Sequence, residues 1–179
     1  MKKYLVIGNP IEHSLSPKLH NYWFEKNNID ANYDRKKIDK SEIQKIISEI
    51  REDKLDGINV TVPFKSDVIP FLDTLSKESQ ITQSVNTIYK QDKKLIGHNT
   101  DIKGFELSLK ETQFNLENKT IFILGAGGVV PSIIYALEKL GVSKIIVSNR
   151  TKQKTENLKK NFSNISVVDW GDQPEFDII

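Results

Sequence analysis

The sequence contains no cysteine, only three histidines and only three arginines among its 179 residues. Without cysteine the chain can form no disulfide, no thiolate nucleophile, no iron–sulfur cluster and no cysteine-containing zinc site. His13, His20 and His98 form no close ligand pair along the chain, so we predict no metal site. The scarcity of arginine and the net charge of +2 argue against a broad basic surface and hence against a nucleic-acid partner.

Long apolar runs are also missing. The first run, Tyr4 to Ile7, has four residues before Gly8-Asn9-Pro10, which is too short for a signal peptide or a membrane span. We therefore predict a cytoplasmic protein with no membrane partner. A hydrophobic content of 37% and a length of 179 residues predict one domain or two small ones that need no covalent cross-links.

The first hundred residues alternate between strand-like and helix-like segments. A helix is predicted from Pro17, with Ser16 as its N-cap. A second helix follows a capping box of Ser41 and Gln44, and its isoleucines at 43, 46, 47 and 50 have the i, i+3, i+4, i+7 spacing of a buried face. Strands are predicted at residues 4–7, 32–38, 57–62, 85–89 and 95–98, the second as a polar edge strand and the last two as a hairpin.

The remaining residues follow the pattern of a dinucleotide-binding unit. After a helix that begins near Thr100-Asp101, an apolar strand at 120–124 leads into Gly125-Ala126-Gly127-Gly128, a helix to about Leu140 and a strand at 144–148. A helix at 152–161, a strand at 165–168 and a last strand-like segment at 176–179 continue the series. The sequence therefore predicts an α/β fold in which an N-terminal α/β domain is followed by the first half of a Rossmann-like domain.

The residues around the glycines predict which nucleotide is bound. Glycines directly after a strand let the backbone approach a pyrophosphate at a helix N-terminus, although the same turn can form without a ligand. The second strand ends in Asn149-Arg150-Thr151, with Lys154 one helical turn later, where an NAD site needs a carboxylate. Because a guanidinium suits a 2′-phosphate, we predict NADP; the alternative is that Arg150, Lys152 and Lys154 are only solvent-exposed cations at a helix start.

A polar strand end is the most informative feature of the first half. In Asn59-Val60-Thr61-Val62-Pro63-Phe64-Lys65, strand alternation places Asn59 and Thr61 on one face. Pro63 ends the strand and leaves Lys65 where the chain turns. Asn86-Thr87 and Asn99-Thr100-Asp101 end neighbouring strands, where open α/β sheets bind ligands. Such amide and hydroxyl groups suit a polyol, and a lysine or aspartate can move a proton.

These features together resemble one family. The shared motifs, in order, are Ser14-x-Ser16-Pro17 after Gly8-Asn9-Pro10, Asn59 to Lys65, Ser84-Val-Asn86-Thr87, Gly97-x-Asn99-Thr100-Asp101-x-x-Gly104-Phe105, Gly125-Ala-Gly-Gly128 and Asn149-Arg150-Thr151. They resemble the motifs of the shikimate dehydrogenases, within the shikimate/quinate dehydrogenase family. The resemblance implies NADP-dependent, reversible reduction of 3-dehydroshikimate to shikimate by hydride transfer, a step of aromatic amino-acid biosynthesis that leads to chorismate.

The resemblance also implies the domains and the site residues. Residues 1–103 would bind the substrate, and residues 104–179 would form the first half of the NADP-binding domain. The residues assigned to the substrate are Ser14, Ser16, Asn59, Thr61, Lys65, Asn86 and Asp101, of which Lys65 and Asp101 would be catalytic. Those assigned to the cofactor are Gly125, Ala126, Gly127, Gly128, Val129, Asn149, Arg150, Thr151 and Lys154.

A lysine amine carries its proton at neutral pH, so Lys65 suits a proton donor and charge stabiliser better than a base, with Asp101 orienting it or relaying the proton. Considered singly, Lys65 is better interpreted as a solvated lysine and Asp101 as a carboxylate at a helix N-terminus; together with the motif, the catalytic interpretation is favoured. Members of the family continue beyond the point where this sequence stops, so we expect a fragment of an active enzyme that acts as a monomer or homodimer. The alternatives are an NAD-dependent quinate/shikimate dehydrogenase and a truncated, non-catalytic ligand-binding domain.

Overall fold

Residues 1–179 are described by a computed structural model, in which the chain divides into two units, Met1–Asn99 and Thr100–Ile179. Asn99 belongs to the first unit, where its Nδ2 donates to the Ser84 carbonyl at 2.9 Å. The first helix of the second unit begins at Asp101. The limit between the units therefore falls after Asn99, close to the predicted limit after residue 103.

The first unit is a mixed six-stranded sheet with helices on its faces. Its elements are β1 (Lys2–Gly8), α1 (Ser16–Lys26), β2 (Ala31–Lys37), α2 (Ile43–Arg51), β3 (Gly57–Val60), β4 (Thr74–Leu75), α3 (Lys77–Thr82), β5 (Thr87–Gln91) and β6 (Lys94–His98). The strand order is β2-β1-β3-β5-β6-β4. Strand β1 is parallel to β2 and β3, β5 is antiparallel to β3 and β6, and β4 is parallel to β6.

Helix α2 covers the apolar face of this sheet. Its four isoleucines are at most 2% exposed, as the helical spacing predicts. They pack in one cluster with Ile58 and Val60 of β3 and Ile7 of β1. Because successive strand residues point to opposite faces, this core assigns Asn59 and Thr61 to the other face, the one that α1 covers.

Helix α1 protects the outer edge of the sheet. The strand β2 lies at that edge, as the polar sequence 32–38 predicted. The Asn21 side chain of α1 binds the backbone of Tyr33 twice, with Oδ1 accepting from the Tyr33 N–H at 2.9 Å and Nδ2 donating to its carbonyl at 2.8 Å. These bonds satisfy main-chain groups that an edge strand otherwise leaves unpaired.

Both predicted helix caps in the first unit are wrong. Helix α1 has Leu15, not Ser16, as its N-cap, and Ser16 is its first helical residue. The capping box before α2 consists of Asp39 and Glu42, not Ser41 and Gln44, and a 3₁₀ turn at 40–42 precedes the helix. Serines are frequent both at caps and in first turns, so composition alone does not select the register.

The strand ends also differ slightly from those predicted. Strand β3 stops at Val60, and Thr61 begins a turn in which its carbonyl accepts from the Phe64 N–H at 3.0 Å. The predicted hairpin is confirmed, and its turn residues Asp92 and Lys93 have φ of 50° and 63°. Positive φ at two successive residues is the geometry that matches the twist of a tight hairpin.

The second unit has the predicted order of elements. It contains α4 (Asp101–Glu111), β7 (Thr120–Leu124), α5 (Val130–Lys139), β8 (Lys144–Ser148), α6 (Lys152–Leu158) and β9 (Ile165–Val167). The three strands form a parallel sheet in the order β7-β8-β9, and Ile178 bridges to Ile121 on the free edge of β7. None of the helices in residues 1–179 combines the length and the hydrophobicity that crossing a membrane requires.

A carboxylate ties two segments of the first unit together. Asp73 receives two hydrogen bonds from the Arg51 guanidinium, at 2.8 and 2.9 Å, and one from the Leu95 N–H at 2.7 Å. These donors, Arg51 first and Leu95 second, lower the pKa of Asp73 below its ordinary value of 3.8. The ionised form is therefore the one that the fold stabilises.

Replacing Asp73 with Asn should lower the stability of the first unit at neutral pH and have less effect in acid. Because the folded-state pKa is lowered, the carboxylate stabilises the fold above its unfolded pKa and loses that effect as the pH falls through the folded value. The difference in urea midpoint between wild type and Asp73→Asn should therefore decline once the pH falls below about 4. Asp53→Asn is the control, because that carboxylate is 78% exposed and pairs with one lysine. A pH-independent difference would contradict this prediction.

Candidate active site

Glycine at the end of β1 lets two strand ends meet. A Cβ atom on Gly8 would lie 2.6 Å from Thr61 Cγ2 and 3.0 Å from the Val62 carbonyl oxygen, so any larger residue would push β1 from the turn after β3. Hydrogen bonds hold this approach, from the Thr61 N–H to the Ile7 carbonyl at 2.9 Å and from the Asn9 N–H to the Val62 carbonyl at 3.0 Å. The loop that follows Gly8 therefore starts beside Thr61.

That loop is held in place by its own turn and by strand β2. The Ser14 N–H donates to the Ile11 carbonyl at 3.0 Å, and Ser14 Oγ accepts from the Ser16 N–H at 3.3 Å. Arg35 of β2 donates through Nη1 to the Ser14 carbonyl at 3.2 Å. Hydrogen bonds of the loop thus place both serines that the sequence assigns to the substrate, and the Ser14 hydroxyl, which accepts one of these bonds, keeps a hydrogen to donate.

A carboxylate strengthens the same loop. Glu12 accepts hydrogen bonds from backbone N–H groups, its own and that of Ile11, and forms an ion pair with Lys37 at 3.2 Å. These donors, the backbone groups first, lower the pKa of Glu12 to about 2. Glu12 is therefore ionised throughout the neutral range and belongs to the loop rather than to proton transfer.

The loop and the end of β3 enclose a cavity of about 270 Å³. Three of the residues predicted to bind the substrate, Ser14, Ser16 and Thr61, are part of its lining. The full lining is Val6, Pro10, Ile11, His13, Ser14, Ser16 and Thr61. A lining that combines apolar side chains with three hydroxyl-bearing residues suits a small polar ligand.

Asn59 does not line this cavity and lies in a hydrogen-bonded network with Tyr33 and β5. Its Nδ2 donates to the Asn86 carbonyl at 3.1 Å and to Thr87 Oγ1 at 3.0 Å, and its Oδ1 accepts from the Tyr33 hydroxyl at 2.7 Å. The Thr87 hydroxyl in turn donates to Asn86 Oδ1 at 3.0 Å. The antiparallel pairing of β3 with β5 produces this arrangement, because it sets Asn59 opposite Thr87.

Lys65 and Asn86 are fixed through their backbones. The Lys65 carbonyl accepts from the Val85 N–H at 2.8 Å, and the Asn86 N–H donates to the His98 carbonyl at 3.0 Å. The first bond ties the turn after β3 to the start of β5.

Asp101 belongs to the second unit, where it is the first residue of α4 and is half-buried.

Two residues of this network, Tyr33 and Thr87, were not assigned a site role from the sequence. Tyr33 is 4% exposed and is the only aromatic residue in a strand of otherwise polar and charged residues and alanine. That isolation in an edge strand is the signal that could have identified it. Thr87 was noted only as a neighbour of Asn86, and the pairing with Asn59 depends on a strand register that sequence does not reveal.

The glycine turn of the second unit is open to a ligand. Gly125 has φ of +117°, a conformation that other residues rarely adopt, and Cβ atoms built on Gly125, Gly127 and Gly128 would meet no atom within 4 Å. The turn is anchored to β8, since the Gly125 N–H donates to the Ser148 carbonyl at 2.7 Å and the Ala126 N–H donates to Asn149 Oδ1 at 3.2 Å. Helix α5 begins directly after Val129.

Cations beyond β8 divide into paired and unpaired ones. Lys152 forms an ion pair with Asp169 at 2.6 Å, which raises the pKa of Lys152, and Lys159 pairs with Glu156 at 3.1 Å. Arg150 and Lys154 are exposed, and no carboxylate of residues 1–179 pairs with either of them. Two of the residues predicted to bind a 2′-phosphate therefore have their charges available to an anion.

Comparisons with known proteins agree with the two units. The family model described as the shikimate dehydrogenase substrate binding domain matches residues 6–88. The model described as shikimate / quinate 5-dehydrogenase matches residues 106–174. Each match lies within one structural unit, so the two units correspond to the two segments that the family models describe.

Curated and solved relatives belong to the same family. The chain is 58% identical over 178 residues to a shikimate dehydrogenase (NADP(+)) of Pelagibacter ubique, covering 99% of this chain and 67% of that protein. The shikimate dehydrogenase of Aquifex aeolicus has a TM-score of 0.87 at 39% identity, over 94% of this chain and 62% of the other. The Thermus thermophilus enzyme, solved with NADP(H) and shikimate, has a TM-score of 0.84 at 32% identity, over 94% and 63%.

The chain thus spans 62 to 67% of the length of these three relatives. Within that span the two family models match in the order of the units. The similarity to the Pelagibacter protein runs through almost the whole chain. On these grounds the chain belongs to the shikimate dehydrogenase family.

Proposed function

We propose that this chain provides the substrate-binding domain and the first half of the nucleotide-binding domain of an NADP-dependent oxidoreductase acting on a CH–OH group, which interconverts 3-dehydroshikimate and shikimate. One observation carries the proposal. Three hydroxyl-bearing residues predicted to bind the substrate, Ser14, Ser16 and Thr61, line one cavity of about 270 Å³. The names of the relatives, shikimate dehydrogenase (NADP(+)), support the same substrate and cofactor.

The second unit fits NADP. The open glycines leave room for a pyrophosphate against the backbone at the start of α5, because no side chain occupies that space. Arg150 and Lys154 can pair with a 2′-phosphate. The remaining residues that would hold the cofactor are Ala126, Val129, Asn149 and Thr151. When bound, NADP supplies or accepts the hydride.

We assign the proton step to the chain's own residues. During reduction Lys65 would donate a proton to the oxygen of the ring ketone and stabilise the charge that develops there, and during oxidation it would accept the proton back. Asp101 would orient the amine or relay the proton. Asn59, Thr61 and Asn86 would bind ring hydroxyl groups, while Ser14 and Ser16 would bind near the mouth of the cavity. The cytoplasmic location, the monomeric or dimeric state and the absence of nucleic-acid and membrane partners stay predictions.

The native polypeptide, whose mass is measured first, should oxidise shikimate with NADP and reduce 3-dehydroshikimate with NADPH. Spectrophotometric assays of the nicotinamide measure both directions. Turnover that is faster with NAD and quinate would favour the alternative quinate/shikimate dehydrogenase. Binding of shikimate without any turnover would favour a non-catalytic domain. Either outcome would contradict the proposed function.

Replacing Arg150 with Ala should weaken binding of adenosine 2′,5′-bisphosphate by at least about 10-fold, because a charge-assisted bond to the 2′-phosphate is lost. Binding of adenosine 5′-monophosphate, which lacks that phosphate, should not change. Isothermal titration calorimetry measures both. Lys159→Ala is the matched control, since this cation lies in the same segment but is paired with Glu156. Equal losses for both nucleotides would remove the assignment of Arg150.

Replacing Lys65 with Ala should reduce kcat by about 10²- to 10⁴-fold, the usual contribution of a positioned proton donor. The measurement is steady-state oxidation of shikimate with NADP by the native polypeptide. Lys45→Ala is the control, because Lys45 is an exposed lysine of α2, on the far side of the sheet from Asn59 and Thr61. Turnover that survives Lys65→Ala would exclude Lys65 from the proton step.

A further inference from the structure

Tyr33 is held through its backbone, its ring and its neighbours in the core. The Asn21 side chain binds both its backbone N–H and its carbonyl, at 2.9 and 2.8 Å. Its ring stacks on His20, with 4.2 Å between ring centroids and 9° between the ring planes. The side chain is 4% exposed and clusters with Val6 of the neighbouring strand. Both the main chain and the ring plane of Tyr33 are therefore fixed.

From this position the tyrosine reaches across one strand. Strand β1 lies between β2, which carries Tyr33, and β3, which carries Asn59. The Tyr33 hydroxyl passes over β1 and donates to Asn59 Oδ1 at 2.7 Å. The same phenol is hydrogen-bonded to the Ser16 side chain. One buried hydroxyl thus connects two residues that we assign to the substrate.

The hydrogen atoms in this network can be assigned. Burial raises the pKa of Tyr33 well above its ordinary value, although the bond with Ser16 opposes this, so the phenol keeps its proton at any physiological pH. Asn59 has two amide hydrogens, and both are used, on the Asn86 carbonyl and on Thr87 Oγ1. Its Oδ1 has two lone pairs, of which Tyr33 takes one. Asn59 can therefore offer a ligand an acceptor but no donor.

We propose that Tyr33 is a positioning residue that fixes the orientation of the Asn59 amide, so that Asn59 accepts from a ring hydroxyl of the substrate and disfavours a ligand with only an acceptor at that position. This inference rests on the proposed function for the identity of the ligand. Without the phenol, Asn59 Oδ1 loses its donor, and only the two bonds from Nδ2 still oppose turning of the amide, so the turned orientation becomes less unfavourable. A turned amide presents a donor instead, which removes the selectivity.

The test is Tyr33→Phe in the native polypeptide, with Tyr4→Phe as the matched control. Tyr4 pairs with Tyr33 in the register of β1 and β2 and lies on the same face, but its hydroxyl does not bind Asn59. Tyr33→Phe should raise KM for shikimate by about 10-fold. Its kcat should change by less than about 2-fold, because the proton donor is untouched. Tyr4→Phe should leave both constants unchanged.

A double-mutant cycle separates positioning from general loosening of the fold. In an Asn59→Ala background, adding Tyr33→Phe should raise KM no further, because the amide on which the phenol acts is absent. Analogues of shikimate that each lack one ring hydroxyl extend the test. Wild type should discriminate most strongly against one of them, and Tyr33→Phe should lose that discrimination. Additive effects of the two substitutions, or unchanged discrimination, would overturn the role of Tyr33.

A measurement on the unaltered protein does not depend on how the variants fold. The wild type should show a slowly exchanging Tyr33 hydroxyl proton in its NMR spectrum, with a nuclear Overhauser effect to the Asn59 side-chain amide. Absence of that proton would overturn the inference while leaving shikimate binding by the wild type intact. Failure of the wild type to bind shikimate would overturn the proposed function, and the substrate role of Tyr33 with it, so the two failures are distinguishable.

Discussion

Strand β3 has to satisfy opposite physical demands on its two faces, and the first unit is arranged around that constraint. One face carries Ile58 and Val60, which are buried against the isoleucines of α2. The other carries Asn59, whose amide is partly buried and must find partners for its hydrogens and its oxygen. Because side chains alternate between the two faces of a strand, β3 alone places its apolar residues in the core and Asn59 on the opposite, polar face.

The polar face is ordered because its groups bind one another before any ligand arrives. Asn59, Asn86 and Thr87 exchange hydrogen bonds of 3.0 to 3.1 Å across the ends of β3 and β5. A buried polar group that loses its partner costs about 1 to 3 kcal/mol, so such a network resists rearrangement. A site whose groups already have their orientation loses less entropy when a ligand binds. Rigidity here therefore favours ligands whose hydrogen-bonding groups match the fixed donors and acceptors of the network.

The second unit has a different constraint, which is that its chain turns sharply at the end of β7. Gly125 adopts a positive φ, and its N–H donates a hydrogen bond to Ser148 at the end of β8. The chain therefore turns away from the sheet directly after β7, and the space beside the glycines is open. Asn149 holds the next residue of the turn through its side chain. Arg150, which follows Asn149 in the chain, is exposed. One short segment after β8 thus both braces the glycine turn and carries a cation that suits a phosphate.

Local patterns in the sequence determined the order of the elements, the buried face of α2, the glycine turn and the polar end of β3, because each depends on the period or on the conformational limits of neighbouring residues. The caps of α1 and α2 could not be assigned correctly, since several adjacent residues could serve equally well. Only the tertiary structure decided that Tyr33 reaches Asn59 and that Asn59 faces Thr87. Those contacts join residues far apart along the chain, and they follow from strand order and register, which are set by the packing of the whole sheet.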